Sequence, residues 1–71
     1  MMFVELKRKE YWRGCYHSEP SLFALSDISR VVSCVDDHSC TNLVTKDGKV
    51  HTIAERYENV VNKIREAMTE K

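Results

Sequence analysis

The stretch of sequence that points most directly to a fold is Asn42-Leu43-Val44-Thr45-Lys46-Asp47-Gly48-Lys49-Val50-His51-Thr52-Ile53. Two β-prone runs flank the Asp47-Gly48 pair. A tight type I′ turn needs positive φ at both of its central residues, which an Asp-Gly pair adopts at little cost. We therefore predict a β-hairpin with a type I′ turn and with strands at about residues 41–46 and 49–53.

The segment after this hairpin has the apolar spacing of an amphipathic helix. Its apolar stripe consists of Tyr57, Val60, Val61, Ile64 and Met68. Thr52 and Glu55 have the spacing of a capping box, which predicts a helix over about residues 53–69. Because such a helix has to bury its stripe, we expect Val61 and Ile64 to pack against the sheet.

Further strands are predicted before the hairpin. Residues 28–35 are rich in β-branched side chains, and residues 3–7 alternate apolar and polar positions as a half-buried strand does. Residues 10–17 either continue the first strand or form a second one. Residues 18–21 contain Pro20 and are predicted to break the chain there.

Together these patterns predict an α+β fold. A small antiparallel sheet of four or five strands lies within residues 2–53, and one C-terminal amphipathic helix packs across one of its faces. Residues 1–71 are expected to form a single domain, because 71 residues and 8.3 kDa are too few for two.

Charge and composition exclude several classes of protein. Lys plus Arg number 11 and Asp plus Glu number 11, so the formal net charge is +0. Such a chain is not typical of proteins that bind nucleic acid mainly by neutralising phosphates. The hydrophobic fraction of 42% indicates a globular chain rather than a disordered one. No apolar run approaches the roughly 20 residues of a membrane-spanning helix, so no membrane association is expected.

The cysteines bear on the cellular compartment. Cys15, Cys34 and Cys40 are an odd number, which fits a closed disulfide framework poorly. The first residues carry charge where a secretory signal would have its apolar core. We therefore expect a cytoplasmic protein whose cysteines are free thiols.

Two Cys/His pairs suggest a metal site as one alternative. Cys15-Tyr16-His17 and His38-Ser39-Cys40 each place a Cys and a His at i and i+2, on the same side of a strand. Two such pairs on adjacent strands would offer a Cys₂His₂ zinc set made of Cys15, His17, His38 and Cys40. In the other interpretation both histidines are solvated, Cys34 is a small buried hydrophobe, Cys15 is partly buried, and the protein has no cofactor.

The N-terminal third contains the best candidate for a contact surface. Its members are the basic and aromatic residues Lys7, Arg8, Lys9, Tyr11, Trp12, Arg13 and Tyr16. Basic residues interleaved with aromatics suit nucleic acid, whose bases stack on rings and whose phosphates meet cations. They also suit a protein interface, where Trp, Tyr and Arg are the usual hot spots. The neutral net charge favours the protein interface.

Trp12 distinguishes a binding surface from a strand that buries its aromatic residues in the core. It lies between the basic run of residues 7–9 and the predicted break at Pro20, where a sheet edge or a projecting hairpin is expected. We therefore predict that Trp12 is partly exposed. Because Trp12 alternates with Gly14 and Tyr16, we predict that these residues share one face, which is aromatic. The opposite face, which is mixed and polar, is expected to carry Tyr11, Arg13, Cys15 and His17.

A resemblance to a known family adds to this interpretation. It rests on Phe3-Val4-Glu5-Leu6, on residues 23–32 and 41–45, on Asp47-Gly48-Lys49, and on Ile53-Ala54-Glu55 before a terminal helix. This order resembles the small FlbD-like proteins of flagellar and swarming motility. Residues 28–67 are also similar to the C-terminal half of a LytTR-type DNA-binding domain. The resemblance implies a small β-rich regulatory or adaptor protein without catalytic residues.

We expect a non-enzymatic module that acts by binding another macromolecule. No spacing links the cysteines, histidines and carboxylates into a catalytic set, and 71 residues can hardly enclose a pocket. The expected partner is a protein, and small chains of this kind are often accessory regulators of phages or mobile elements. The alternatives are a DNA-binding accessory protein and a small zinc-stabilised domain.

A homodimer is also expected. Leu43, Val44, Val50 and Ile53 put apolar side chains on both faces of the predicted hairpin, whereas one helix covers only one face of a sheet. The uncovered positions would then pair with a second copy of the chain.

Overall fold

Five antiparallel strands form one sheet, and an α-helix follows them, in the computed structural model, which describes residues 2–35 and 39–69. The elements are β1 (Phe3–Trp12), β2 (Cys15–Ala24), a 3₁₀ turn (Leu25–Asp27), β3 (Ile28–Ser33), β4 (Thr41–Thr45), β5 (Val50–Ile53) and α1 (Tyr57–Thr69). The strand order across the sheet is β2-β1-β5-β4-β3. The predicted α+β class and the C-terminal helix are confirmed.

The core lies between the sheet and α1. Leu6, Leu43, Ile53 and Val60, which come from β1, β4, β5 and α1, are fully buried and belong to one apolar cluster. Long-range contacts between four elements therefore hold the domain together, and the helix is bound to the sheet through its own apolar side chains.

The helix begins later than the capping-box pattern predicts. Thr52 lies in β5, where it pairs with Asn42, and α1 starts only at Tyr57. Glu55 does not cap the helix, because its carboxylate accepts a hydrogen bond from the Lys7 backbone N–H at 3.0 Å and pairs with Lys63 Nζ at 2.5 Å. These two contacts fasten the start of α1 to β1.

The buried face of α1 is also rotated from the predicted stripe. Val60 and Ala67 are buried, and Ile64 packs against the core as predicted. Val61, for which the same was predicted, is half-buried and does not belong to the core cluster. Tyr57 and Met68, at the two ends of the predicted stripe, are exposed. The helix therefore presents i, i+4 and i+7 positions to the sheet rather than all five apolar residues.

Glu55 should make the stability of the domain depend on pH. Burial raises the pKa of Glu55, but the hydrogen bonds from Lys63 and from the Lys7 N–H outweigh it, so the pKa lies below its ordinary 4.5. The stabilisation is therefore present above pH 4.5 and is lost as the pH falls through the lowered pKa. In urea unfolding from neutral to acid pH, Glu55→Gln should lose less stability than the parent. The exposed Glu19→Gln serves as the control, and equal losses in all three proteins would contradict the prediction.

The hairpin at Asp47 is present, but its predicted turn type is wrong. The strand bounds of 41–45 and 50–53 confirm the prediction to within a residue. The loop has three residues, because the Gly48 N–H donates to Thr45 O at 2.9 Å and only Gly48 has positive φ, +87°. Hydrogen bonds from the Thr45 hydroxyl and the Lys49 N–H hold the pKa of Asp47 below its usual value.

Pro20 lies inside a strand rather than at the predicted break. It occupies β2 opposite Lys7, in the middle of a ten-residue antiparallel pairing with β1. β2 is an edge strand, where a missing backbone N–H can face solvent without breaking a ladder hydrogen bond. A proline therefore marks a sheet edge in this chain.

The expectation of three free thiols is wrong for two of them. Cys34 and Cys40 form a disulfide, with their Cα atoms 5.8 Å apart and a separation of 6 positions in sequence. The antiparallel pairing of Ser33 with Thr41 brings together the residues that flank the two strands. Cys15 is a free, exposed cysteine. An odd cysteine count fits three free thiols and one disulfide with one free thiol equally well, so it did not predict the bridge.

The disulfide gives a prediction that thiol counting can check. The denatured, unreduced chain should react as one free thiol and the reduced chain as three. Opening so short a loop should cost about 2 kcal/mol of stability, chiefly through the entropy of the unfolded chain. We expect Cys34→Ser to lower the thermal midpoint accordingly, whereas Cys15→Ser should not. Three reactive thiols before reduction would contradict the bridge.

Candidate functional site

The long β1–β2 hairpin extends beyond the rest of the sheet. In the described chain, β1 pairs with β5 at Arg8, which lies opposite Ile53. Its pairing with β2 continues as far as Trp12, which lies opposite Cys15. Every residue from Tyr11 to Pro20 is exposed. The molecule accordingly measures 41 × 20 × 20 Å. We call residues 9–18 the hairpin arm.

A two-residue turn at Arg13-Gly14 sets the register of the arm. Arg13 has φ of 52° and Gly14 of 80°, the two positive values that a type I′ turn requires. Tyr11 therefore lies opposite Tyr16, and Trp12 opposite Cys15. The predicted grouping of Trp12 with Tyr16 is wrong, because it treated residues 10–17 as one strand. Gly14 is the residue in the sequence that indicates this turn, but an arginine is unusual at the position before the glycine of a type I′ turn.

The outer face of the arm, which points away from the core side of β1, carries an aromatic pair. The rings of Tyr11 and Tyr16 meet edge to face, with centroids 5.0 Å apart. Lys9 Nζ lies 4.5 Å from the centroid of the Tyr16 ring. Each contact restrains an exposed side chain before any partner arrives.

The inner face of the arm lies on the same side of β1 as the core residue Leu6 and carries Trp12, Cys15 and His17. The Trp12 and His17 rings meet with centroids 5.6 Å apart, and the Arg13 guanidinium stacks 4.6 Å from the centroid of the Trp12 ring. Cys15 Sγ lies 3.2 Å from His17 Nε2. Trp12 and His17 also line a shallow pocket of about 190 Å³ together with Glu10 and Glu19.

The seven predicted contact residues are thus divided between the two faces. Lys7, Lys9, Tyr11 and Tyr16 lie on the outer side, Arg8 and Trp12 on the inner side, and Arg13 in the turn. Arg8 forms an ion pair of 2.6 Å with Glu10, which offsets part of its positive charge. The predicted partial exposure of Trp12 is confirmed, since 58% of this residue is accessible.

The four predicted zinc ligands are distributed differently from the sequence-based hypothesis. Cys15 and His17 are in contact, but Cys40 is bonded to Cys34 and offers no thiolate, and His38 lies outside the described residues. Within residues 2–35 and 39–69, no three His, Cys, Asp or Glu side chains are arranged to hold a metal ion. Of the predicted ligands that the structure describes, Cys15 and His17 are the two that contact each other.

A second concavity, which the sequence analysis did not identify, lies at the opposite end of β1. It is mainly apolar, measures about 620 Å³ and is lined by Met2, Leu25, Ser26 and Met68. The Leu25 N–H donates to Met2 O at 3.0 Å and so joins two of the lining residues. Met68 was predicted to be part of the buried stripe, so its exposure here is the consequence of the rotated helix face.

Comparison with known proteins leaves the fold and the arm as the basis for assigning a function. No protein-family model matches the chain, and no curated protein or solved structure is significantly similar to it. The helix of the described chain is too short and too polar to cross a membrane.

Proposed function

We propose that this chain is a small non-enzymatic regulatory or adaptor module that binds another protein through the hairpin arm. The observation that carries the proposal is the exposure of three aromatic side chains on the arm: Tyr11 at 66%, Trp12 at 58% and Tyr16 at 65%. Trp, Tyr and Arg are the residues that most often dominate the binding energy of protein interfaces.

The arrangement of these side chains supports the same proposal. Each aromatic ring is held by a neighbour, so little side-chain entropy is lost when a partner covers it. The arm also projects from the body of the domain, which lets it enter a concave surface on the partner. The resemblance to FlbD-like regulatory proteins agrees with a binding module and remains a prediction.

A DNA-binding accessory role is the second candidate, and the charges of the arm weigh against it. Within residues 9–18 the cations are Lys9 and Arg13, and both stack on aromatic rings. Arg8 next to the arm forms an ion pair with Glu10, which reduces the positive potential there. Proteins that bind nucleic acid through phosphates need several uncompensated cations along one path.

The homodimer remains part of the proposal, but the apolar surface that the hairpin offers to a second copy is smaller than the sequence suggested. Leu43 and Ile53 are buried in the core of the chain itself, so they cannot meet a second copy. Val44 and Val50, which are paired on the other face of the sheet, are still available there. These two side chains alone form a small apolar patch, so we look to the arm for a stronger contact.

Site-specific photo-cross-linking in the source cell tests the proposed function. A benzophenone amino acid replaces Tyr11 in one variant and Leu22, which is similarly exposed but lies opposite Glu5 outside the arm, in the control. A discrete protease-sensitive adduct from position 11 alone supports protein binding by the arm. A nuclease-sensitive adduct would favour the DNA-binding alternative, and identical adducts from both positions would contradict a role for the arm.

A further inference from the structure

The contact between Cys15 and His17 has the geometry of half a metal site. Both side chains project from the inner face of one strand, and Sγ lies 3.2 Å from Nε2. A tetrahedral zinc ion, with Zn–S of about 2.3 Å and Zn–N of about 2.0 Å, requires its sulfur and nitrogen ligands to lie about 3.5 Å apart. A small side-chain rotation therefore brings these two atoms into position for one ion.

The rest of the described chain does not complete this coordination. Glu10, which lies opposite His17 on the same face, is engaged by Arg8 at 2.6 Å. Cys34 and Cys40 are bonded to each other. No set of three ligands is assembled in residues 2–35 and 39–69, so an ion held here takes its remaining ligands from outside these described residues.

We propose that the arm is a zinc-dependent self-association site, in which Cys15 and His17 of two copies bind one Zn²⁺ ion between them. Two thiolates and two neutral imidazoles give the Cys₂His₂ set typical of closed structural zinc sites. Each thiol loses its proton when it binds, so two protons leave for each ion and the two thiolates balance its charge.

The position of the pair suits an isologous contact. Cys15 and His17 are exposed at the end of a projecting arm, so two arms can meet while the bodies of the two domains stay apart. The His17 ring is oriented by the Trp12 ring and lies 3.2 Å from the Trp12 carbonyl oxygen. Binding of the ion exchanges this carbonyl contact for a bond to the metal.

This site deepens the homodimer part of the proposed function and does not depend on the binding of another protein by the arm. Metal binding is a property of the purified chain, whereas the cross-linking experiment concerns a different protein in the cell. Either result can fail without the other.

Cobalt(II) substitution tests the proposal because Co²⁺ takes tetrahedral zinc sites and is coloured when thiolates bind it. The full chain is kept anaerobic, with Cys15 reduced and the Cys34–Cys40 bridge intact. We expect a thiolate-to-cobalt absorption band that saturates at one ion per two chains. Sedimentation should then give about twice 8.3 kDa, and a chelator or excess Zn²⁺ should abolish the band.

Matched variants make the outcome specific. Cys15→Ser and His17→Ala should each lose both the band and the metal-dependent dimer, whereas Glu19→Gln, on the same strand and face, should keep both. Trp12 fluorescence should be quenched by Co²⁺ in the parent and unchanged in Cys15→Ser. The proposal is overturned by one ion per chain without dimerisation, by a band that survives Cys15→Ser, by loss in Glu19→Gln, or by no thiolate band at all.

Discussion

Leu43→Ala should leave little folded protein at room temperature. Leu43 is fully buried in β4, which lies between β5 and β3, and belongs to the apolar cluster that joins the sheet to α1. Truncation of a buried leucine costs about 2–5 kcal/mol, and the core of a chain this short supplies only about 3–5 kcal/mol. The loss is therefore comparable to the whole stability of the domain.

Urea unfolding followed by circular dichroism measures this effect, with Val50→Ala as the matched control. Val50 lies in the neighbouring strand, but 61% of it is exposed, so its truncation should change the stability by no more than about 0.5 kcal/mol. If Leu43→Ala unfolds at the same urea concentration as Val50→Ala, the sheet and helix do not share the core described above.

The elements that could be predicted from sequence are those specified by local patterns. The strands around Gly48 and the C-terminal helix follow from side-chain periodicity and from one turn residue, which are properties of neighbouring positions. The errors arose where a distant contact overrides a local pattern. Glu55 has capping-box spacing, but its carboxylate accepts a hydrogen bond from the backbone N–H of Lys7, which lies 48 positions away in sequence. Sequence spacing carries no information about such a partner.

The candidate site likewise has features that local sequence patterns predict and features that depend on contacts between distant residues. Aromatic and basic composition identified the residues of the arm. The exposure of Trp12 was predicted correctly, although the break at Pro20 on which that prediction partly rested is part of β2. Which side chains meet depends on the turn at Arg13-Gly14, since a reversal of the chain changes every cross-strand neighbour. The Cys15–His17 contact arises within one strand and was predictable, whereas the Cys34–Cys40 bridge depends on the β3–β4 pairing.

Trp12→Ala should weaken binding to the partner without destabilising the domain. The side chain contacts the His17 ring and the Arg13 guanidinium on the arm, and it is not part of the apolar core cluster. We therefore expect a nearly unchanged thermal midpoint. If Trp12 is the centre of the interface, its truncation should cost 2 kcal/mol or more of binding free energy, which is about a 30-fold loss of affinity.

The affinity is measured for the protein that is cross-linked through position 11, and Leu22→Ala provides the control. Leu22 is exposed on the same hairpin but lies in β2 opposite Glu5, away from the aromatic residues of the arm. Its truncation should leave both the midpoint and the affinity unchanged. Acrylamide quenching of the single tryptophan, with a chelator present to separate any metal-linked dimer, checks that Trp12 is accessible in the free chain. A tryptophan that is shielded under these conditions, together with unfolding of Trp12→Ala, would place this residue in a core and remove it from the binding surface.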